Sequence, residues 1–170
     1  MSTHTTDVSW QPSRRRQTAW LFGFLALCFA AAGVGGALTS VSVDEWYQTL
    51  VKPSWRPPDW LFGPVWTALY FMMAVAAWLV WRRGGWSASR VPLTLFALQL
   101  GLNVAWSAIF FGFRSPGPAF GEILILWLAI AATTFTFFHR STAAALLLAP
   151  YLAWTTFAAF LNLAIWRMNT

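Results

Sequence analysis

Residues 46–70 read WYQTLVKPSWRPPDWLFGPVWTALY. The first fifteen hold Trp46, Tyr47, Trp55 and Trp60, three prolines within six positions (Pro53, Pro57 and Pro58) and the cations Lys52 and Arg56; the last ten run into an apolar segment carrying Trp66. Connecting segments are ordinarily polar and rich in Gly, Ser and Asn. A connector this aromatic and this stiff reads as a lid over something, and the apolar run after it as a helix.

Composition says where that lid sits. Hydrophobic residues make up 58% of the chain and charged residues 9%, against about 25% charged in soluble domains. Sixteen charged side chains (11 Lys+Arg and 5 Asp+Glu) among 170 residues cannot cover a water-facing surface, so the sequence is that of an integral membrane protein. The net charge of +6 is scattered between apolar runs. It reads as topology and attraction to a lipid surface, with no nucleic-acid partner. Cys28 is the sole cysteine, which excludes an intramolecular disulfide or a cysteine metal site; it reads as a small buried apolar residue. The arginines 14–16 followed by apolar residues imitate a secretory signal. The run 19–38 is longer, however, than the about 7–15 residues of a signal's apolar region, so it is expected to stay as a helix. Leu25-Ala26-Leu27-Cys28 resembles a lipoprotein cleavage box except that Leu27 stands where a small residue belongs.

Taken in order, residues 1–17 read as a disordered polar arm. Five apolar runs of roughly membrane-spanning length follow, at about 18–38, 61–81, 91–111, 119–138 and 142–166. The expected fold is therefore all-α, a five-transmembrane-helix bundle forming one domain over 18–170, with a lid loop at 39–60. Pro57 and Pro58 prevent that loop from being helical throughout. Five spans put the termini on opposite sides. The N-terminal side carries Arg14, Arg15, Arg16, Arg82, Arg83, Arg90 and Arg140, and the other side Lys52, Arg56, Arg114 and Arg167. Seven against four places the N-terminus in the cytoplasm and the lid outward.

Polar side chains at membrane depth need a purpose. Gln99, Asn103 and Ser107 are four apart on one face of the third helix, with Trp106 and Phe110 beside them; Trp154, Ala158 and Asn162 repeat that spacing on the fifth, near Tyr151; Trp66 and Tyr70 do so on the second. Two readings fit these stripes. One is interhelical hydrogen bonding and aromatic packing. The other is a pocket for a flat, mostly apolar ligand, stacked on π surfaces and oriented by a few polar groups. The small residues at 30–37 of the first helix read as close helix packing.

Candidate catalytic groups are few. His4 lies in the arm, and His139 ends the fourth helix opposite the lid, so neither can ligate a metal beneath it. Glu122 is the one carboxylate within a helix, placed to pair with Arg114, to snorkel or to relay a proton. There is no phosphate loop, no carboxylate pair and no metal cluster, which argues against an ordinary enzyme.

These residues together resemble the translocator protein (TspO, peripheral-type benzodiazepine receptor) family. The resemblance rests on Trp46-Tyr47-x-x-Leu50-x-Lys52-Pro53-x-Trp55-x-Pro57-Pro58, on Gly63-Pro64-Val65-Trp66 with Leu69-Tyr70, on Asn103-x-x-Trp106 with Phe110-Phe111-Gly112, and on Pro150-Tyr151-Leu152-x-Trp154 through Leu161-Asn162 and Trp166-Arg167. It covers the chain from about the first helix to the C-terminus and leaves the N-terminal arm outside. It implies a five-helix bundle, commonly a homodimer, that binds porphyrins and, in some members, sterols and synthetic benzodiazepine or isoquinoline ligands, with no cofactor required. Carried over by motif, the pocket would use Tyr47, Trp66, Asn103, Trp106, Tyr151, Trp154 and Ala158, and the dimer contact would use Ala97, Gly101 and Ala105. The helical stripes add Ser107 and Asn162 to the ligand-binding set. The animal members' sterol signature has a Tyr after the Leu-Asn pair where this chain has Leu163, a departure that argues against tight sterol binding.

The leading functional expectation is a membrane receptor or sensor for tetrapyrroles such as protoporphyrin IX. Light-dependent porphyrin breakdown and porphyrin or sterol transport are the alternatives, although no inverted repeat or broken midplane helix supports transport. All-helical spans favour the bacterial inner membrane; members of the family are also placed in outer membranes.

Overall fold

The computed structural model describes residues 10–170. Its helices are α1 (Arg14–Val43), α2 (Trp46–Thr49), α3 (Phe62–Arg82), α4 (Gly85–Ala88), α5 (Arg90–Ser107), α6 (Pro116–Phe138) and α7 (Thr142–Met168), with a 3-10 turn at Asp59–Leu61 and a π-helical turn at Ala108–Gly112. The described residues contain no strand. Five helical segments are long and apolar enough to cross a membrane: the chain is an all-α, five-span membrane protein.

Each long helix has a local reason for its ends. Ser13 caps α1, its hydroxyl accepting from the Arg16 amide at 3.4 Å, and Ser141 caps α7 through the Ala144 amide at 3.4 Å. Pro116 opens α6 where a missing N–H costs nothing. α1 thus begins four residues before the expected start, so residues 14–17 of the expected arm are helix; residues 1–9 lie outside the described residues. α1 also continues five residues past the expected end, because nothing between Leu38 and Val43 breaks it. The connection between the second and third expected runs contains α4.

The five spans form a ring in the order α1, α3, α7, α6, α5, closing back on α1. α6 lies against both its sequence neighbours, as short connections require, whereas α4 carries the chain from α3 past α1 to α5. Ala74, Ala76 and Ala77 of α3 are fully buried, and small side chains there let the helix axes approach. Large apolar side chains such as Phe22, Leu128 and Phe135 project outward, as a lipid-facing perimeter requires.

The two ends of the ring are closed differently. At the arginine-rich end Trp20 stacks on Trp81 with centroids 5.0 Å apart and Trp10 meets the same ring edge-on at 5.9 Å. Gly85 adopts φ +66°, and a Cβ there would come within 2.7 Å of the Trp10 indole, so only glycine fits under that ring. At the other end Trp46 and Tyr47 pack against Phe110, and Tyr47 also against Phe111. The π-helical turn aims this Phe pair: widening the last turn of α5 shifts the ring positions, and the Ser42 hydroxyl donates to the Phe111 carbonyl at 2.8 Å.

Candidate functional site

A cavity of about 470 Å³ lies inside the ring beneath α2 and the 3-10 turn, within the range of small-molecule sites. α3 contributes Phe62, Gly63, Trp66, Thr67 and Tyr70; apart from Phe62, these recur at the i, i+3, i+4, i+7 spacing of one helical face. α5 supplies Asn103, Trp106 and Ser107, and the π-helical turn Phe111; α7 supplies Trp154, Ala158 and Leu161. Tyr47 and Asp59 stand at the lid side. The remaining wall is the C-terminal half of α1, with Ala32, Gly35, Gly36, Thr39, Ser40 and Val43.

The floor is a hydrogen-bonded relay. The Tyr70 hydroxyl donates to Asn103 Oδ1 at 2.5 Å, and Asn103 Nδ2 donates to the Tyr151 hydroxyl oxygen at 3.1 Å. Tyr151 itself is fully buried and does not line the cavity; it stands behind Trp66, edge-on at 6.2 Å. The Trp106 indole N–H donates to Asn162 Oδ1 at 3.1 Å, and Asn162 Nδ2 donates to the Pro116 carbonyl at 2.7 Å. Asn162 is therefore the joint between α5, α7 and the start of α6 that sets the Trp106 ring in place, and it too stays out of the cavity lining. Trp154 is held by Phe62 and Phe157, with centroids at 5.7 and 5.5 Å.

Of the ligand-contact residues expected from sequence, Tyr47, Trp66, Asn103, Trp106, Ser107, Trp154 and Ala158 converge on the cavity, while Tyr151 and Asn162 back it. Thr39 and Thr67 bond back to carbonyls one turn earlier, at 2.9 Å each, so the walls present methyl and small-residue surface. The α1 wall is what sequence reasoning missed. Its signal was present in Gly35, Gly36, Thr39 and Ser40, since residues too small to fill space leave room as readily as they allow packing.

The lid is built around Tyr47. Lys52 Nζ donates to the carbonyls of Tyr47, Leu50 and Gln48 at 2.5, 3.0 and 3.3 Å and sits 4.7 Å from the centroid of the Tyr47 ring. The ammonium thus ends α2 in the way a cation favours a helix C-terminus. Burial raises the Tyr47 phenol above its ordinary pKa, with the Arg56 guanidinium opposing that rise, so the hydroxyl keeps its proton at physiological pH. Arg56 forms a salt bridge with Asp59 across the Pro57-Pro58 pair. Pro53 is buried, Trp55 is half-exposed against Phe157, and Trp60 is largely exposed.

Two other expectations concern residues elsewhere. Glu122 makes no ion pair with Arg114: its carboxylate oxygens are enclosed without a hydrogen-bond partner, and among the described residues Arg56 and Asp59 form the only salt bridge. Ala97 and Gly101 face outward on α5 with Ala105 half-buried, away from the cavity. Among the described residues no group of three or more His, Cys, Asp or Glu could hold a metal ion.

Comparison with known proteins agrees with this architecture. The profile of the TspO/MBR family matches residues 24–167. The tryptophan-rich protein TspO of Chlorobaculum tepidum is 46% identical over 147 residues, covering 85% of this chain and 92% of that protein. The tryptophan-rich sensory protein of Cereibacter sphaeroides is 42% identical over 146 residues, covering 86% and 89%. The translocator protein of Homo sapiens is 48% identical over 127 residues, covering 74% and 75%. With the profile spanning all five membrane helices and relatives this similar over most of their length, the chain belongs to the TspO/MBR family.

Proposed function

We propose that this protein is an integral-membrane receptor or sensor that binds tetrapyrroles such as protoporphyrin IX, and other flat hydrophobic molecules, in the cavity beneath the lid. The observation that carries the reading is the convergence of three indoles, Trp66, Trp106 and Trp154, from three different helices on one cavity of about 470 Å³ with the Tyr70–Asn103 polar floor. Flat apolar ligands are held by such π surfaces, and a few polar groups fix their orientation. Membership of a family that includes a translocator protein and a sensory protein supports a ligand-binding receptor. Holding is by stacking, since His139, the one histidine among the described residues, caps the far end of α6.

Titration of the purified protein with protoporphyrin IX, read by tryptophan fluorescence, tests this. Trp154→Ala and Trp66→Ala should each weaken quenching at subsaturating ligand. Unchanged titrations in both would place binding elsewhere. The arginine asymmetry supports a cytoplasmic N-terminus and an outward lid in the inner membrane. The small residues Ala97, Gly101 and Ala105 support a homodimer packed through α5.

A further inference from the structure

We propose that Arg56 is the carboxylate-receiving group at the mouth of the cavity, that Asp59 holds this place in the absence of ligand, and that the preferred ligands are flat apolar molecules bearing an acid group. The proposal rests on the binding reading above and adds the ligand's chemical class and its orientation.

The lid side of the protein carries four cations, and the structure separates their roles. Lys52 has its three ammonium protons committed to three carbonyls of its own segment, so it is a structural cap. Arg114 lies in the turn after α5 with φ 53°, and Arg167 in the last turn of α7. Arg56 alone has its ion-pair partner, Asp59, on the cavity lining, and its guanidinium also acts on the phenol of Tyr47, a second lining residue. The bridge to Asp59 runs from one nitrogen, Nη1, to one oxygen, Oδ1. A guanidinium carries five N–H donors in a planar fork suited to a two-point bond with a carboxylate, so donors remain for a second acid.

The surroundings make exchange easy. Asp59 is 47% exposed; on release its carboxylate passes into water, and little is lost in breaking an exposed pair. The incoming acid re-forms the same charge-assisted bond. Between the two residues Pro57 and Pro58 hold φ fixed, so only side chains need turn. The site has a matching polarity gradient: Asp59 and Tyr47 lie at the lid, Trp66, Trp106 and Trp154 deeper. A ligand with its acid at Arg56 and its flat body among the indoles satisfies both ends.

The test compares protoporphyrin IX, a diacid, with its neutral dimethyl ester on the full-length protein in lipid nanodiscs, read by tryptophan quenching. Arg56→Gln should weaken diacid binding by about tenfold while ester binding stays within about twofold. Asp59→Asn, which removes the competing carboxylate, should tighten the diacid and change ester binding by a smaller factor. Opposite signs from two neighbouring variants cannot arise from misfolding. Equal effects on both ligands, or no effect of Arg56→Gln on the diacid, overturn the acid-receiving role while leaving cavity binding intact. Quenching by either ligand that is insensitive to Trp66→Ala and Trp154→Ala overturns the binding reading and this inference with it.

Discussion

The Asn169 side chain bonds in both directions to the backbone of Val51: Oδ1 accepts from the Val51 amide at 2.9 Å and Nδ2 donates to the Val51 carbonyl at 2.9 Å. One side chain thus imitates a neighbouring strand and clips the lid to the end of α7, where Nδ2 also reaches the Ile165 carbonyl at 2.7 Å. Asn169→Ala should release the segment between α2 and the 3-10 turn at a cost of about 1 kcal/mol. Hydrogen exchange at residues 50–58 should speed up while the spans stay protected; unchanged exchange there would show that packing alone holds the lid.

The Tyr70–Asn103–Tyr151 relay predicts a larger effect deeper in the bundle. Asn103→Leu removes the acceptor of one buried phenol and the donor to another, and should cost about 1–2 kcal/mol in a denaturant titration in detergent. Tyr70→Phe keeps the Asn103–Tyr151 bond and should cost less. Equal losses would mean that the relay is not the source.

Gly35 separates the shape of the cavity from the stability of the fold. A Cβ built there meets Ser107 Oγ at 3.4 Å and the Tyr70 hydroxyl at 3.9 Å, so Gly35→Ala should fold and bind nearly as the parent does. Gly35→Leu fills the α1 wall and should weaken protoporphyrin IX by about tenfold or more. Retained affinity in that variant would remove α1 from the site.

Tyr47 gives a pH signature. Burial, the dominant cause, raises its folded pKa above the ordinary value of about 10. The folded state therefore keeps a proton that the unfolded chain gives up. Its stabilising contribution is complete below about pH 10 and is lost as pH rises through the folded value. Thermal melts between about pH 9 and 11 should fall less steeply for Tyr47→Phe than for the parent; parallel curves would contradict the assignment.

At Gly101 nothing lies within 4 Å of a built Cβ, so Gly101→Leu should leave the monomer fold and its ligand titration intact. If α5 is the dimer face, cross-linking in lipid should shift from dimer toward monomer. A dimer that persists would exclude this stripe.

The particular residues show where sequence reasoning reached and where it stopped. Spacing put Trp66 with Tyr70, and Trp154 with Ala158 and Asn162, each on one helical face, which left packing and a pocket both open; the family resemblance implied the pocket. Trp154 and Tyr151 are three apart on α7, and their faces differ by roughly a sixth of a turn. That small angle puts the indole in the cavity and the phenol behind it. Asn162, on the same stripe as Trp154, turns instead to the Trp106 indole and the Pro116 carbonyl, partners 56 and 46 residues away in sequence. The lid was visible as rigid and aromatic from its prolines, but its clip comes from Asn169, 118 residues on.

The sequence by itself determined that the protein spans a membrane five times, which end carries the arginines and which connector is the lid, because run length, charge and proline content are local properties. Only the tertiary structure decided that α1 closes the cavity, that Asn162 positions Trp106, and that Lys52 bonds to carbonyls of its own segment while Arg56 pairs with Asp59. Those outcomes depend on the rotation of each helix about its own axis, and that rotation is set by the packing of its neighbours around the ring.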